Sequence, residues 1–113
     1  MFPSDRLVAS VAFDPAAAAA AQETCERARQ VCAAVREARR RDLGEALVGW
    51  NGRLRDLVEQ ELTGLDARLE EGEAALAALA AAIDDLAGRA ARLQDAVEAH
   101  NDTVRRRRTW APV

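Results

Sequence analysis

From Leu54 onward, apolar or small residues recur along the chain at steps of four and three. They are Leu54, Val58, Leu62, Leu65, Leu69, Gly72, Leu76, Leu79, Ile83, Leu86, Ala90, Leu93, Val97, His100 and Val104. Steps alternating between three and four average 3.5 residues, the period that keeps one stripe of an α-helix facing a partner. The pattern predicts a helix over 53–104, roughly 75 Å long at 1.5 Å per residue. Charged residues fill the positions between. A weaker pattern of the same kind runs through Ala18, Ala21, Cys25, Ala28, Cys32 and Val35, breaks at Arg39, and resumes at Leu43 and Leu47. It predicts a first helix over 14–48, with Arg27, Arg29, Arg36, Glu37 and Arg40 on its other faces. Asp14-Pro15 supplies its start, Asp as N-cap and Pro at the first helical position.

Between these segments lies the bend 49–52. Gly49 can take the left-handed conformation that closes a helix. Asn51-Gly52 is a turn dipeptide, and Asn51 can also cap the second helix. The fold expected is all-α, a single-domain antiparallel helical hairpin. It carries an irregular arm at 1–13 and a basic, frayed tail at 105–113. The first helix reaches only to about residue 87 of the second. Leu93, Val97 and Val104 therefore lack an intrachain partner unless the arm folds over them. A chain of 113 residues rich in alanine buries a modest core, and each helix of a lone hairpin is covered on one side only. A dimer forming a four-helix bundle is the expectation. Its apolar contacts would come from Cys25, Cys32, Leu43, Leu47, Leu62, Leu65, Leu69, Leu76, Leu79, Ile83, Leu86, Leu93 and Val97.

Composition narrows the chemistry. All 16 basic residues are arginine and the net charge is −3. With no lysine, a lysine nucleophile, a Schiff base and a P-loop lysine are excluded. Cys25 and Cys32 on one helix would have Cα atoms roughly 10 Å apart, beyond the reach of about 7 Å that a disulfide allows. They read as small apolar face residues, with a bond to a partner chain as the alternative. His100 is the sole histidine, so no zinc pattern exists, and it reads as a seam residue. Serines occur only at Ser4 and Ser10, and no Gly-rich phosphate loop is present. No catalytic residue and no cofactor or metal site is predicted. Glu70-Glu71 and Asp84-Asp85 read as solvated helix faces. The amino terminus has no secretory signal pattern, and no stretch approaches the roughly 20 apolar residues of a membrane span.

The sharpest charge cluster is Arg105, Arg106, Arg107 and Arg108, followed by Trp110. It favours the helix dipole at a C-terminus. Contact with nucleic acid or an anionic membrane, or peptide anchoring through Trp110, are its functional alternatives.

Trp50-Asn51-Gly52 is a Trp-x-Gly triplet placed between two helices in a chain of about one hundred residues. In this it resembles the WXG (ESAT-like) family of small proteins associated with type VII secretion, over about 14–100. The resemblance implies a helical hairpin with Trp-x-Gly in the bend, assembling as a homodimer or heterodimer. It also implies export in folded form without a cleaved signal, or a cytoplasmic role as partner or chaperone. The indole of Trp50 would close the open end of the bundle. The chain departs from the family in having no tyrosine, and so no Tyr-x-x-x-Asp/Glu export signal of the usual form. Its second helix is also long for the family. The function expected is a non-enzymatic substrate, dimer partner or chaperone of a type VII system. Its partner would be a copy of itself, a paralogous small helical protein or a larger secreted effector. The alternatives are a coiled-coil scaffold unrelated to secretion and a small nucleic-acid-associated protein using the arginine tail.

Overall fold

The computed structural model describes residues 2–3 and 5–110, with Trp110 described by its backbone alone. These residues form two helices and no strand: α1 over Pro15–Ala46 and α2 over Arg53–Trp110. The Asp14 carboxylate accepts from the Ala16 and Ala17 amides at 3.0 and 3.2 Å, with Pro15 in the first turn. It satisfies two donors that have no partner inside the helix.

α1 stops at Ala46 rather than at 48. Leu47 leaves the helical backbone (φ −89°, ψ 1°), and its carbonyl accepts from the Trp50 amide at 2.9 Å. Gly49 and Gly52 carry φ of +84° and +81°, a region open to glycine and costly for other residues. α2 then starts at Arg53, and the Gly52 carbonyl accepts from the Asp56 amide at 3.2 Å. Gly52, not Asn51, thus holds the cap position.

The helices run antiparallel in one register. The Gln22 amide donates to the Ala80 carbonyl at 3.1 Å. Arg36 meets Glu70 at 2.8 Å and Glu73 at 3.3 Å, and Arg40 meets Asp66 at 3.1 Å. Arg40 and Glu70 are exposed, as expected of solvated faces, and with the half-buried Arg36 they also bridge the two helices. Their long side chains reach around the edge of the alanine-rich seam, where short neighbours leave room.

α2 has 58 residues and α1 has 32, roughly 87 and 48 Å at 1.5 Å per residue. The remaining length, about 39 Å, is met in part by the arm. Residues 5–13 lie along α2 beyond the start of α1. Val8, Val11, Arg6 and Asp5 bond through their backbones to Asn101, Gln94, His100 and Arg108. The arm meets Gln94 at Val11 and Arg108 at Asp5, fourteen residues of α2 or about 21 Å, and turns at Asp5 and Arg6 so that Phe2 comes back to His100. The arm so continues the cover that α1 leaves off.

Residues 105–110, expected to fray, continue α2. Arginine is a strong helix former, and cations at the C-terminus favour the dipole. The Thr109 hydroxyl donates to the Arg105 carbonyl at 2.9 Å, and Arg105 lies 3.5 Å from Asp102. The tail residues 111–113 and the Trp110 side chain lie outside the described residues.

The result is a rod of 94 × 21 × 12 Å with a radius of gyration of 26.3 Å. A compact domain of this length has about 13 Å. Its accessible surface is 8671 Å², against about 6,100 Å² for a compact monomer of 12.2 kDa. Among the described residues, the buried apolar side chains are Cys25, Leu47, Val97 and Val104.

Candidate interaction surface

The heptad seam of α2 divides into two kinds of position. Leu62, Leu69, Leu76, Ile83 and Ala90 are half-buried, and Val97 and Val104 are buried with 2% exposure each. This row faces α1 and then the arm. The other row contains Leu79, Leu86 and Leu93, which remain 51%, 56% and 48% exposed. Residues seven apart on a helix drift by only about 20° per step. The three leucines therefore form one straight stripe, about 21 Å from first to last. Ala75, Ala82, Arg89 and Ala96 flank it on the open side, all exposed.

Of the two outcomes open for Val97 and Val104, cover by the arm is the one found. Both lie on the face where Asn101 holds the arm, and the arm is the described segment alongside them. Beyond the bend, the seam leucines left largely exposed are Leu79, Leu86 and Leu93.

On α1, Cys25 is buried, Cys32 and Leu43 are half-buried, and both thiols are free. Leu65 on α2 is half-buried as well, and Leu47 is buried at the end of α1. Cysteines, leucines and isoleucine together thus make the contact between α1 and α2, while Val31 and Val35 face outward on α1.

The bend presents a second apolar surface. Val48, Trp50, Leu54 and Leu57 are all exposed within ten residues of chain. The Trp50 indole is 45% exposed, so within one chain it does not close the hairpin. Four helix-end residues cannot surround a side chain of that size on every side. The bend is stapled instead by Arg55, a residue that periodicity did not single out. Its guanidinium donates to the Trp50 carbonyl at 2.8 Å and the Leu47 carbonyl at 3.4 Å, and Glu59 orients it at 2.9 Å. Carbonyls at a helix C-terminus have no partner in the helix, and an arginine there satisfies them.

Comparison with known proteins finds no family model, no curated relative and no solved structure that matches the chain.

The electrostatics are those of a paired surface. Glu26 is held below the usual carboxylate range, chiefly by hydrogen bonds from Arg29. Hydrogen bonds to Glu26 and Asp66 raise the guanidinium values of Arg29 and Arg40 respectively. Among the described residues, no group of three histidines, cysteines or carboxylates is placed to hold a metal ion, and no helix is long and apolar enough to cross a membrane. Where the arm crosses α2 there is an open groove of about 400 Å³, lined by Val11, Phe13, Pro15, Ala87, Ala90 and Gln94 among others. It is mostly apolar; Ser10 adds a hydroxyl and Gln94 an amide, and no histidine or carboxylate lines it.

Arg105–Arg108 are exposed on the last turns of α2. Consecutive helical residues point about 100° apart, so four in a row spread around the axis instead of lining one face. The side chain of Arg105 reaches Asp102 and that of Arg108 reaches the Asp5 carbonyl at 3.4 Å.

Proposed function

We propose that the chain is a non-enzymatic interaction protein, a WXG-like helical hairpin whose Leu79–Leu86–Leu93 stripe pairs with a second helical hairpin. The partner is a copy of itself or a paralogous small helical chain, and the product is a four-helix arrangement. In this reading it serves a type VII secretion system as substrate, dimer partner or chaperone, cytoplasmic or exported without a cleaved signal. The half-exposed leucine stripe is the observation that carries the pairing. Three leucines at one heptad position, with alanine on their open flank, suit close packing against another helix. The surface area supports it: the chain exposes roughly 2,600 Å² more than a compact monomer of its mass, and a specific interface removes about 800 Å² per partner. The Trp-x-Gly triplet at a glycine bend with positive φ supports the family reading, as does the exposed apolar bend.

A coiled-coil scaffold without a link to secretion is the second reading. The 58-residue α2 and the absence of tyrosine favour it. The two readings share the stripe and part at export. Leu86→Glu places a charge in the middle of the stripe and should abolish pairing while the helix signal remains. If pairing survives Leu86→Glu, the stripe is not the interface. Disabling the type VII ATPase in the native host separates the readings. Loss of the chain, or of a co-purifying small helical partner, from the culture medium supports the first; unchanged distribution supports the scaffold.

A further inference from the structure

The arm is held by a ladder with two matched periods. On α2 the ladder residues are Gln94, Asn101 and Arg108, seven apart. On the arm they are Val11, Val8 and Asp5, three apart. Gln94 Oε1 accepts from the Val11 amide at 2.8 Å. Asn101 makes both bonds to one residue, accepting from the Val8 amide at 2.8 Å and donating to the Val8 carbonyl at 2.9 Å. Arg108 approaches the Asp5 carbonyl at 3.4 Å. One helical heptad rises about 10.5 Å, and three extended residues rise about 10 Å. The two repeats stay in step from Gln94 to Asn101; beyond that the arm turns at Arg6 and Asp5, where Arg108 meets it. His100 adds a bond between: its Nε2 donates to the Arg6 carbonyl at 2.8 Å, and its ring lies 5.3 Å from that of Phe2.

Every one of these bonds goes to arm backbone. Among the described arm residues Val8 and Val11 are half-buried, three apart beside the row of Val97 and Val104, with the half-buried Phe2 and Phe13 toward the two ends. Leu7, Ala9 and Ser10 between them are exposed. The seat thus reads an extended backbone plus a small β-branched residue at every third position, and asks little of the residues between. No described arm residue is fully buried, and the arm joins α1 through the single joint Asp14-Pro15. Segments with few buried contacts open locally at lower cost than the helices they rest on.

We propose that the distal third of α2 is a binding site for an extended peptide segment of a partner protein, a Val-x-x-Val-type strand, and that the arm occupies it in cis until such a segment displaces it. The arm itself is the observed occupant and defines the ligand chemistry. This site is separate from the leucine stripe and does not depend on pairing. Tethering gives the arm a local concentration in the millimolar range, so the resting state is closed and a competing segment gains access when the arm is weakened or sequestered elsewhere.

The test uses the full chain with Val8→Pro and Val11→Pro, which keep an extended backbone but delete both amide donors of the ladder. The probe is a fluorescent synthetic peptide of residues 2–14, followed by anisotropy. The variant should bind it at least tenfold more tightly than the unmodified chain does. Adding Asn101→Ala should reverse the gain by tenfold or more. A folded variant that binds no peptide, or binds it equally with Asn101→Ala, overturns the proposal. If the proline variant loses helix, hydrogen exchange on the unmodified chain decides. Val8 and Val11 amides exchanging at least tenfold faster than α2 amides of 94–104 support a lifting arm. Exchange of both segments at one common rate overturns it.

Discussion

Val104→Ala tests the cover supplied by the arm. Val104 is 2% exposed, and the substitution removes two methylene equivalents at about 0.8 kcal/mol each. The cavity left behind adds to this, giving a loss of about 2 kcal/mol. Leu93→Ala is the internal comparison. It removes three equivalents, but Leu93 is 48% exposed, so within one chain its loss is about 1 kcal/mol. The smaller side chain should therefore cost more than the larger one. Urea unfolding followed by circular dichroism, at the lowest protein concentration that gives signal, measures both. Low concentration matters because Leu93 belongs to the proposed pairing stripe, whose contribution falls on dilution. Val8→Ala combined with Val104→Ala should be non-additive by at least 0.5 kcal/mol, as expected of residues under one contact. If Val104→Ala costs less than about 0.5 kcal/mol and adds independently to Val8→Ala, the arm does not cover the end of α2 in solution.

Other substitutions probe the bend and the surface. Gly52→Ala should destabilise by about 1–2 kcal/mol because φ is +81°; chemical denaturation showing a stabilised protein would mean a continuous helix through the bend. Arg55→Ala should cost about 1 kcal/mol by releasing the Trp50 and Leu47 carbonyls, read by the same denaturation, and Arg55→Lys should restore only part of it. Trp50→Ala should cost under about 2 kcal/mol in the isolated chain, since the indole is half-exposed; a larger cost that grows with protein concentration would place Trp50 in the assembly interface. Acidification should weaken the fold modestly. The folded-state value of Glu26 lies below its ordinary 4.5, so its contribution is present above that value and is lost as pH falls through the lowered one. Because the pair is exposed, high salt should erase this acid dependence, as Glu26→Gln should.

The hairpin was legible because its signals are periodic or conformational. Alternating steps of three and four named the apolar face of α2, and Gly49 and Gly52 marked where the backbone must turn. The cover of that face was not legible. A heptad pattern states which side is apolar and says nothing of whether a helix, an arm or another chain lies on it. The ladder left a faint mark in Gln94 and Asn101, polar residues seven apart beside the seam. Its other half is arm backbone, which has no sequence signature. The arginine run was read as a charge problem, yet helix propensity and the dipole both favour continuing α2 through it. Periodicity puts Arg40 and Glu70 on the surface, where they are, but does not report that these long side chains and Arg36 pair across the edge of a thin seam. The Trp-x-Gly triplet and the size of the indole place Trp50 at the end of a bundle; in the single chain it is 45% exposed.

Light scattering after gel filtration, over low to high micromolar concentration, addresses the pairing of two hairpins most directly. With no other chain present, the account predicts self-pairing at the high end, with a mass twice the 12.2 kDa of the chain, falling toward one chain on dilution and at every concentration in Leu86→Glu. A mass of 12.2 kDa at all concentrations, with unfolding that is cooperative and independent of concentration, would contradict it.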